Sequence, residues 1–467
     1  MTDRIIINPI TRISGFMEID VVLKNNIVVE AKTSGQLFRG FEKMLSGRSP
    51  LDAVYFTQRI CGICSAAHST ASALALESAF NINPPEQGRY LRDIVHGCEF
   101  LQNHIRHFYQ YTLPDFIKMP SKFPIYNTEH NDFRLPESVN NRVVDHYFRS
   151  LEISRSAHEM LAVLGGKAPH NHGIYIGGIT TQPTADKIVK IKSILTKIRD
   201  FIISVMVPDV EILAKYYNEY FRIGVGYGNL LSYGCFNDYK SLGTLYLAAS
   251  IYSDGVVKKM DTTKISESLK YSWYKGDTQV PYEESADQNF NKNKAYSWIK
   301  AARYDGKPYE VGPLARMCLS GEYKNGVSMM DRTIARVLEA KKITEIMAVL
   351  LNNVIPDVNT QEEYEIPETS SGQGLIDTTR GALGHWIGIG KKIIDHYQII
   401  TPTVWNLSTK DDTYNGTVEQ ALLGTVVEDI KHPVELGRII RSFDPCVSCA
   451  THVYIPEREV KTFTILP

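Results

Sequence analysis

The sequence predicts a mostly α-helical body with peripheral β structure and one α+β lobe. Three observations carry that prediction. Apolar residues recur at helical spacing over long stretches, at about 51–80, 88–112, 138–165, 184–222, 327–355, 380–394 and 415–430. Strand-like alternation is concentrated in the first thirty residues. Between 228 and 310 the chain is richer in Gly, Tyr, Ser and Asp, with short β-like runs.

In chain order, Met17–Lys24 and Ile27–Lys32 read as strands flanking Asn25-Asn26, a hairpin turn. From Leu51 to Phe80, Ala66, Ala67, Ala71, Ala73 and Ala75 give an alanine-rich helical pattern. Thr184, after Pro183, is placed to cap a helix, and Pro208 to break or kink it. Gly243–Ala249 reads as a strand of the lobe. The chain thus divides into a β-rich segment at 1–50, a helical body at 51–227, the lobe at 228–310, the rest of the helical body at 311–452 and a tail at 453–467. With no repeat, low-complexity tract or clear linker, 1–467 reads as a single large multi-lobed domain.

Composition excludes several classes. A chain of 467 residues with 43% hydrophobic and 22% charged residues has ample material for a core, which excludes whole-chain disorder. Fifty-one basic against 52 acidic residues leave a net charge of −1, without the basic footprint of a nucleic-acid binder. No run reaches the ~18 apolar residues of a spanning helix; Phe201–Val207 is too short. The N-terminus lacks the pattern of a secretory signal, so export would need another address.

Seven cysteines are too few for a disulfide scaffold. Cys98, Cys235 and Cys318 stand alone and read as soft core residues. The other four form two pairs of equal spacing, Cys61-x-x-Cys64 near the start and Cys446-x-x-Cys449 near the end, followed by His68 and His452. A compact zinc ribbon needs pairs roughly 15–20 residues apart, whereas almost the whole chain separates these. A thioredoxin-like dithiol needs one pair beside a βαβ pattern, which is missing. Four thiols drawn from both ends into a helical core suit a buried, soft-ligand, redox-active metal. Arg59, His68 and a helix N-terminus can favour the thiolate form.

Arg59-Ile-Cys61-Gly-Ile-Cys64-x-x-x-His68 together with Asp444-Pro-Cys446-x-x-Cys449-x-x-His452 resembles the signature pair of nickel–iron hydrogenase large subunits. Stretches along nearly the whole chain agree in order: Ile10–Ile13, Gly35–Glu42, His107–Tyr109, Gly165–His170, Gly177-Gly178, Ser297–Lys300, Arg303–Gly306, Tyr309–Arg316, Arg380–Trp386 and Thr401–Asn406. The resemblance implies a fold with a central bundle of long helices. It implies Cys61 and Cys446 as terminal nickel ligands, and Cys64 and Cys449 as bridges to an iron carrying one CO and two cyanides. Dihydrogen is then split heterolytically, with Cys446 accepting the proton and Arg380 poised over the open metal face. His68 is expected beside a bridging sulfur, with Thr401 and Asp444 also around the cofactor. Glu42, His452 and the Ile399 carbonyl match ligands of a magnesium or iron site. His104 and His107 read as core or subunit-contact histidines.

The chain departs from the family pattern at three places. The usual Arg-Ile-Glu-Gly-His reads Arg12-Ile-Ser14-Gly-Phe16 here. The glutamate that first takes the proton is thus Ser14, which can pass a proton along a chain but cannot hold charge. Asn103 stands where an aspartate commonly supports the arginine, and Thr379 where a proline usually precedes it.

Two rival readings share the resemblance. A relative of the quinone-site subunit of complex I generally lacks the four cysteines, and a hydrogen-sensing subunit usually lacks a tail after the last histidine. The resemblance further implies an obligate small subunit that holds the iron–sulfur clusters, a maturation protease removing 453–467, nickel-insertion factors, and a membrane cytochrome reached through the small subunit. The expected location is membrane-associated or periplasmic, by co-export with that partner, with a cytoplasmic location as the alternative.

Overall fold

The structure, a computed structural model, describes residues 2–121, 130–282 and 285–450. It opens with an antiparallel sheet, β1 (Thr2–Ile7), β2 (Met17–Lys24) and β3 (Ile27–Gly35), in that order. Asn25 and Asn26 take φ of 52° and 62° between β2 and β3, the left-handed pair that a tight hairpin needs and that Asn tolerates. Met17, Ile19, Val21 and Leu23 alternate onto the buried face.

Helices α1 (Phe41–Leu45), α2 (Asp52–Gln58), α3 (Ser65–Phe80) and α4 (Glu86–Arg106) follow, with a π-helical continuation of α4 at His107–Thr112. The 29-residue α5 (Glu137–Gly165) packs against α4. A short pair, β4 (Ile174–Tyr175) and β5 (Gly178–Ile179), precedes α6 (Ala185–Phe201), whose N-cap is Thr184. Between α6 and α7 (Val207–Tyr216) the coil widens to a π turn at Ile202–Met206. Pro208 in the first turn of α7 has no N–H for the preceding turn, which accounts for the widening.

Two small sheets make up the 228–310 stretch. One has β6 (Leu230–Cys235), β7 (Leu247–Ser253) and β8 (Val256–Lys259); the other has β9 (Ile265–Ser268) between β10 (Thr278–Gln279) and β11 (Ala301–Tyr304). Among the described residues of this stretch, the helical part is one 3₁₀ turn at Thr262–Lys264. The expected strand at 243–249 begins at Leu247, because Gly243, at φ 66°, closes a turn onto Tyr239.

After α8 (Pro313–Leu319) and α9 (Met329–Asn353), the chain forms a three-stranded meander, β12 (Thr369–Thr378), β13 (Gly381–Gly390) and β14 (Ile393–Ile400). This corrects the helix expected at 380–394. Gly381–Gly390 is buried on both faces for most of its length, so its apolar run lacks the alternation that marks a half-exposed strand. Lys391 and Lys392, both at positive φ, turn the chain into β14. The helix expected at 415–430 is also shorter: after α10 (Pro402–Asn406), α11 covers only Thr417–Leu422. Beyond it, Gly424, Thr425 and Val427 bond to Val28 and Asn26 at the β3 edge, which draws the backbone out of the helix. The chain continues through α12 (Val434–Ser442) to α13 (Val447–Ala450).

The meander packs directly onto α3. A Cβ on Gly374 would lie 1.9 Å from the Ala71 carbonyl oxygen, and one on Gly372 2.2 Å from that of Ala75. Alanine on the helix and glycine on the strand let the two backbones approach closely. α3, α4 and α9 are buried along most of their lengths, so the start of α3 lies deep in the protein.

Candidate metal centre

The first cysteine loop joins α2 to α3. Cys64 is the N-cap residue of α3, and Cys61 lies three residues before it. The second loop leaves α12 through Asp444, held at φ 52°, and Pro445. Its backbone is pinned to the N-terminal segment: Ser14 N–H donates to the Pro445 carbonyl at 3.2 Å, and Val447 N–H donates back to the Ser14 carbonyl at 2.7 Å. A Cβ on Gly15, at φ 90°, would lie 2.6 Å from Ser448 N, so this close approach requires glycine.

These loops bring Cys61, Cys64 and Cys446 together. Their sulfurs lie within 4.8 Å of one another, with Cys61 and Cys446 Sγ 3.3 Å apart. All three side chains are buried, at 3%, 5% and 1% exposure. The side chain of Cys449 and the whole of His452 lie outside the described residues.

Arg380, in the turn between β12 and β13, reaches toward this cluster. Its Nε donates to the Asp444 carbonyl at 3.0 Å, and its Nη2 lies 3.0 Å from both Asn103 Oδ1 and Asp444 Oδ1. Its Nη1 is buried with no hydrogen-bond partner among the described residues. Burial opposes the guanidinium charge, but Asp444 and then the Cys446, Cys64 and Cys61 sulfurs hold it above the usual arginine range. Burial likewise opposes the Asp444 charge, yet Arg380, His107, Arg336 and Asn103 hold its carboxyl well below the usual range. Arg336, in α9, donates to Asp444 Oδ2 at 3.1 Å.

Two buried hydroxyls near these residues in sequence, Thr379 Oγ1 and Thr401 Oγ1, also have no hydrogen-bond partner among the described residues. Thr403 Oγ1 accepts from Cys446 N–H at 3.1 Å. Three soft sulfurs, an unpaired guanidinium nitrogen and unpaired hydroxyls make a donor set suited to a soft transition metal with small acceptor ligands.

His68 is buried, and burial pushes it down to about 4. Its Nδ1 lies 3.1 Å from His385 Nε2. The chain of contacts runs on from His385 Nδ1 to the Tyr397 hydroxyl at 2.8 Å and from there to Ser72 Oγ at 3.1 Å. Ser14 Oγ lies 3.5 Å from Ser448 Oγ. His104 pairs with Glu339 at 2.8 Å, and His107 Nε2 bonds the Arg441 carbonyl at 2.7 Å.

Glu42 and Ile399 meet at a second place. The Ile399 N–H donates to Glu42 Oε1 at 3.0 Å, while Lys300 Nζ stands 3.6 Å from Glu42 Oε2. A cavity of about 40 Å³ here is lined by Glu42, Glu267, Lys300 and Ile399 among others. Ile399 lies on β14, an edge strand whose partner is β13. A strand residue directs its N–H and C=O to the same side, so the Ile399 carbonyl faces the side of Glu42.

Sequence reasoning did not single out Arg336, His385, Lys300 or Glu267. Lys300 and His385 fall within the matched stretches Ser297–Lys300 and Arg380–Trp386 without a role of their own, and Arg336 and Glu267 lie among other polar residues with no local spacing to mark them. Their surest sign is burial.

Comparison with known proteins agrees with this geometry. The family described as nickel-dependent hydrogenase matches residues 39–125, 121–327 and 319–452. The periplasmic [NiFeSe] hydrogenase large subunit of Desulfomicrobium baculatum is 36% identical, over 96% of this chain and 95% of that one. The hydrogenase-2 large chain of Escherichia coli is 31% identical, over 97% and 98%. The quinone-reactive Ni/Fe-hydrogenase large chain of Wolinella succinogenes is 30% identical, over 97% and 96%. The reduced Ni-Fe-Se hydrogenase from D. vulgaris Hildenborough superposes with a TM-score of 0.93 at 36% identity, covering 97% of this chain and 100% of that one. Selenium appears in two of these names, whereas this chain carries cysteine at 61, 64, 446 and 449. The chain belongs to the nickel-dependent hydrogenase family, as a large, catalytic subunit.

Proposed function

We propose that this subunit cleaves dihydrogen heterolytically, or forms it, at a nickel–iron site held by Cys61, Cys64, Cys446 and Cys449. The observation that carries this reading is the cluster of three buried sulfurs near the unpaired Nη1 of Arg380. Cys61 and Cys446 would hold nickel as its terminal ligands, and Cys64 and Cys449 would hold it together with an iron that carries one CO and two cyanides. When bound, the metal pair supplies the Lewis acidity that polarises and splits dihydrogen. Arg380, fixed by Asn103 and Asp444, directs positive charge and a free N–H at the reacting face. Thr401, whose buried hydroxyl has no partner among the described residues, would donate to a cyanide of that group.

Cys446 accepts the proton. Ser14 is the next group along, since its backbone brackets the Cys446 loop and its hydroxyl faces Ser448. A hydroxyl relays a proton by giving one as it takes one, so Ser14 with Ser448 passes the proton outward without storing it. His68 positions the first cysteine loop through its buried contact with His385.

Glu42, the Ile399 carbonyl and His452 form a magnesium or iron site, for which carboxylate, carbonyl, imidazole and water are suitable ligands. Iron–sulfur clusters in a small subunit receive the electrons. The relatives are named as large subunits or large chains, which supports such a partner. Their periplasmic and quinone-reactive names support export with that partner and an acceptor in the membrane, a cytochrome reached through the small subunit. No helix among the described residues is long and apolar enough to cross a membrane. The family match ends at residue 452, which supports removal of 453–467 by a maturation protease after nickel-insertion factors have loaded the site.

Metal analysis and infrared spectroscopy of the purified heterodimer test this reading. Nickel, iron beyond the clusters, and CO and CN stretches are expected, with a large subunit ending at His452 by intact mass. Zinc alone in material that turns over dihydrogen would overturn the metal assignment. A fully active subunit still ending at Pro467 would overturn the maturation step.

A further inference from the structure

We infer that Arg39 is a positioning residue: its guanidinium ties the loop carrying Cys61 to the loop carrying Cys446 and so sets the spacing of their sulfurs. The inference rests on the reading above that these two cysteines hold the metal.

Arg39 lies between β3 and α1, with its guanidinium 4.8 Å from the centre of the Phe41 ring. Its Nη1 donates to the Arg59 carbonyl at 3.1 Å. Its Nη2 donates both to the Ile60 carbonyl and, at 2.7 Å, to the Ser448 carbonyl. Ile60 immediately precedes Cys61, and Ser448 lies in the first turn after Cys446. A single nitrogen therefore serves each loop with one of its two N–H groups. Ser14 and Thr403 hold the 445–448 segment from other directions, while Arg39 connects it to the first cysteine loop.

The chemistry requires a fork. Guanidinium nitrogens lie in one plane at fixed angles, so bonding to Arg59 and Ile60 aims the remaining N–H at Ser448. Lysine carries the charge at a single nitrogen on a flexible stem, and can hold one loop well or both loosely. The tie matters because the two loops have little covalent reason to stay together. Cys61 and Cys446 belong to opposite ends of the chain, yet their sulfurs must keep the 3.3 Å approach. The Arg39 side chain is exposed, so it adjusts loop spacing rather than supporting the core.

The test uses the full-length chain made without nickel, and separately the assembled heterodimer. In the metal-free chain, brief treatment with diamide followed by peptide mass mapping reads the yield of the Cys61–Cys446 disulfide against the local Cys61–Cys64 disulfide. The expected result is a loss of about tenfold in that ratio for Arg39→Met, the effect of one charge-assisted tie. Arg39→Lys should recover part of it, and the melting temperature should stay close to that of the wild type. In the heterodimer, the same variants should broaden or shift the CO and CN infrared bands in the same order. Should Arg39→Met fail to fold, Arg39→Gln takes its place, its amide being too short to span both loops. An unchanged disulfide ratio with unchanged infrared bands would overturn the inference. A wild-type chain that gives the long-range disulfide but never binds nickel would instead overturn the metal reading and leave the tie standing.

Discussion

Asn103 stands between Arg380 and Asp444 and serves both: its oxygen accepts from Arg380 Nη2 at 3.0 Å, and its amide donates to Asp444 Oδ2 at 2.7 Å. A carboxylate at this place would accept from Arg380 but would face Asp444 as a like charge. Asn103→Asp should therefore force the new pair to share a proton. The folded state then binds that proton more tightly than the unfolded chain, so the variant loses stability as pH rises. Melting temperatures compared at pH 5 and pH 8 check this: the deficit against wild type should widen at pH 8. An equal deficit at both values would refute it.

Arg380→Lys removes the Nη1 that has no partner among the described residues and keeps the charge. Turnover should fall by about 10²-fold or more, the usual effect of losing one preorganised donor at a reacting centre. Nickel content should remain near that of the wild type. Dye-linked dihydrogen oxidation normalised to nickel is the measurement, and a fall of less than threefold would place Arg380 outside the chemistry.

Gly374→Ala would set a methyl group 1.9 Å from the Ala71 carbonyl oxygen, backbone against backbone. Neither side can yield cheaply, so the variant should lose about 3 kcal/mol. Chemical denaturation of the assembled protein reads this directly. Because α3 begins at the first cysteine loop, nickel retention should fall along with stability.

Asp115 gives a second pH signature, through its pairs with Arg12 and Arg441. Burial opposes its charge, but Arg12 and then Arg441 hold its carboxyl at about 2, below the ordinary aspartate value of about 3.9. The folded chain binds this proton more weakly than the unfolded one. The stabilisation, about 2 to 3 kcal/mol, is therefore complete above pH ~4 and lost as pH falls toward ~2. Asp115→Asn should lower the urea midpoint at neutral pH and flatten its fall between those values. An acid limb as steep as that of the wild type would sink the assignment.

Much of this was legible in the sequence, for identifiable reasons. The cysteine pairs announce themselves because their spacing is local even though their meeting is not. The Asn25-Asn26 hairpin and the breaks at Pro208 rest on backbone rules that act within a few residues. Gly381–Gly390 misled because a strand buried on both faces has no polar side to betray its period. Thr425 to Val427 misled because their partner is the distant edge of β3. Arg336 gave no signal, and His385 none beyond its place in a matched stretch, since a lone arginine or histidine acquires meaning only from residues far along the chain that fold against it.

The Ser14 bridge to the Cys446 loop has a consequence for the order of events during synthesis. Cys61 and Cys64 emerge early, beside α3, whose partners are α2 and α4 close by in the chain and the meander strands β12 and β13 made much later. Their partner sulfur arrives only when α12 has been made, and it must then dock against Ser14, in the loop between β1 and β2. The body around α3, α4 and α9 can thus form with half a binding site, and the last loop closes it. A large subunit assembled this way has its body nearly folded before the sulfur of Cys446 joins those of Cys61 and Cys64.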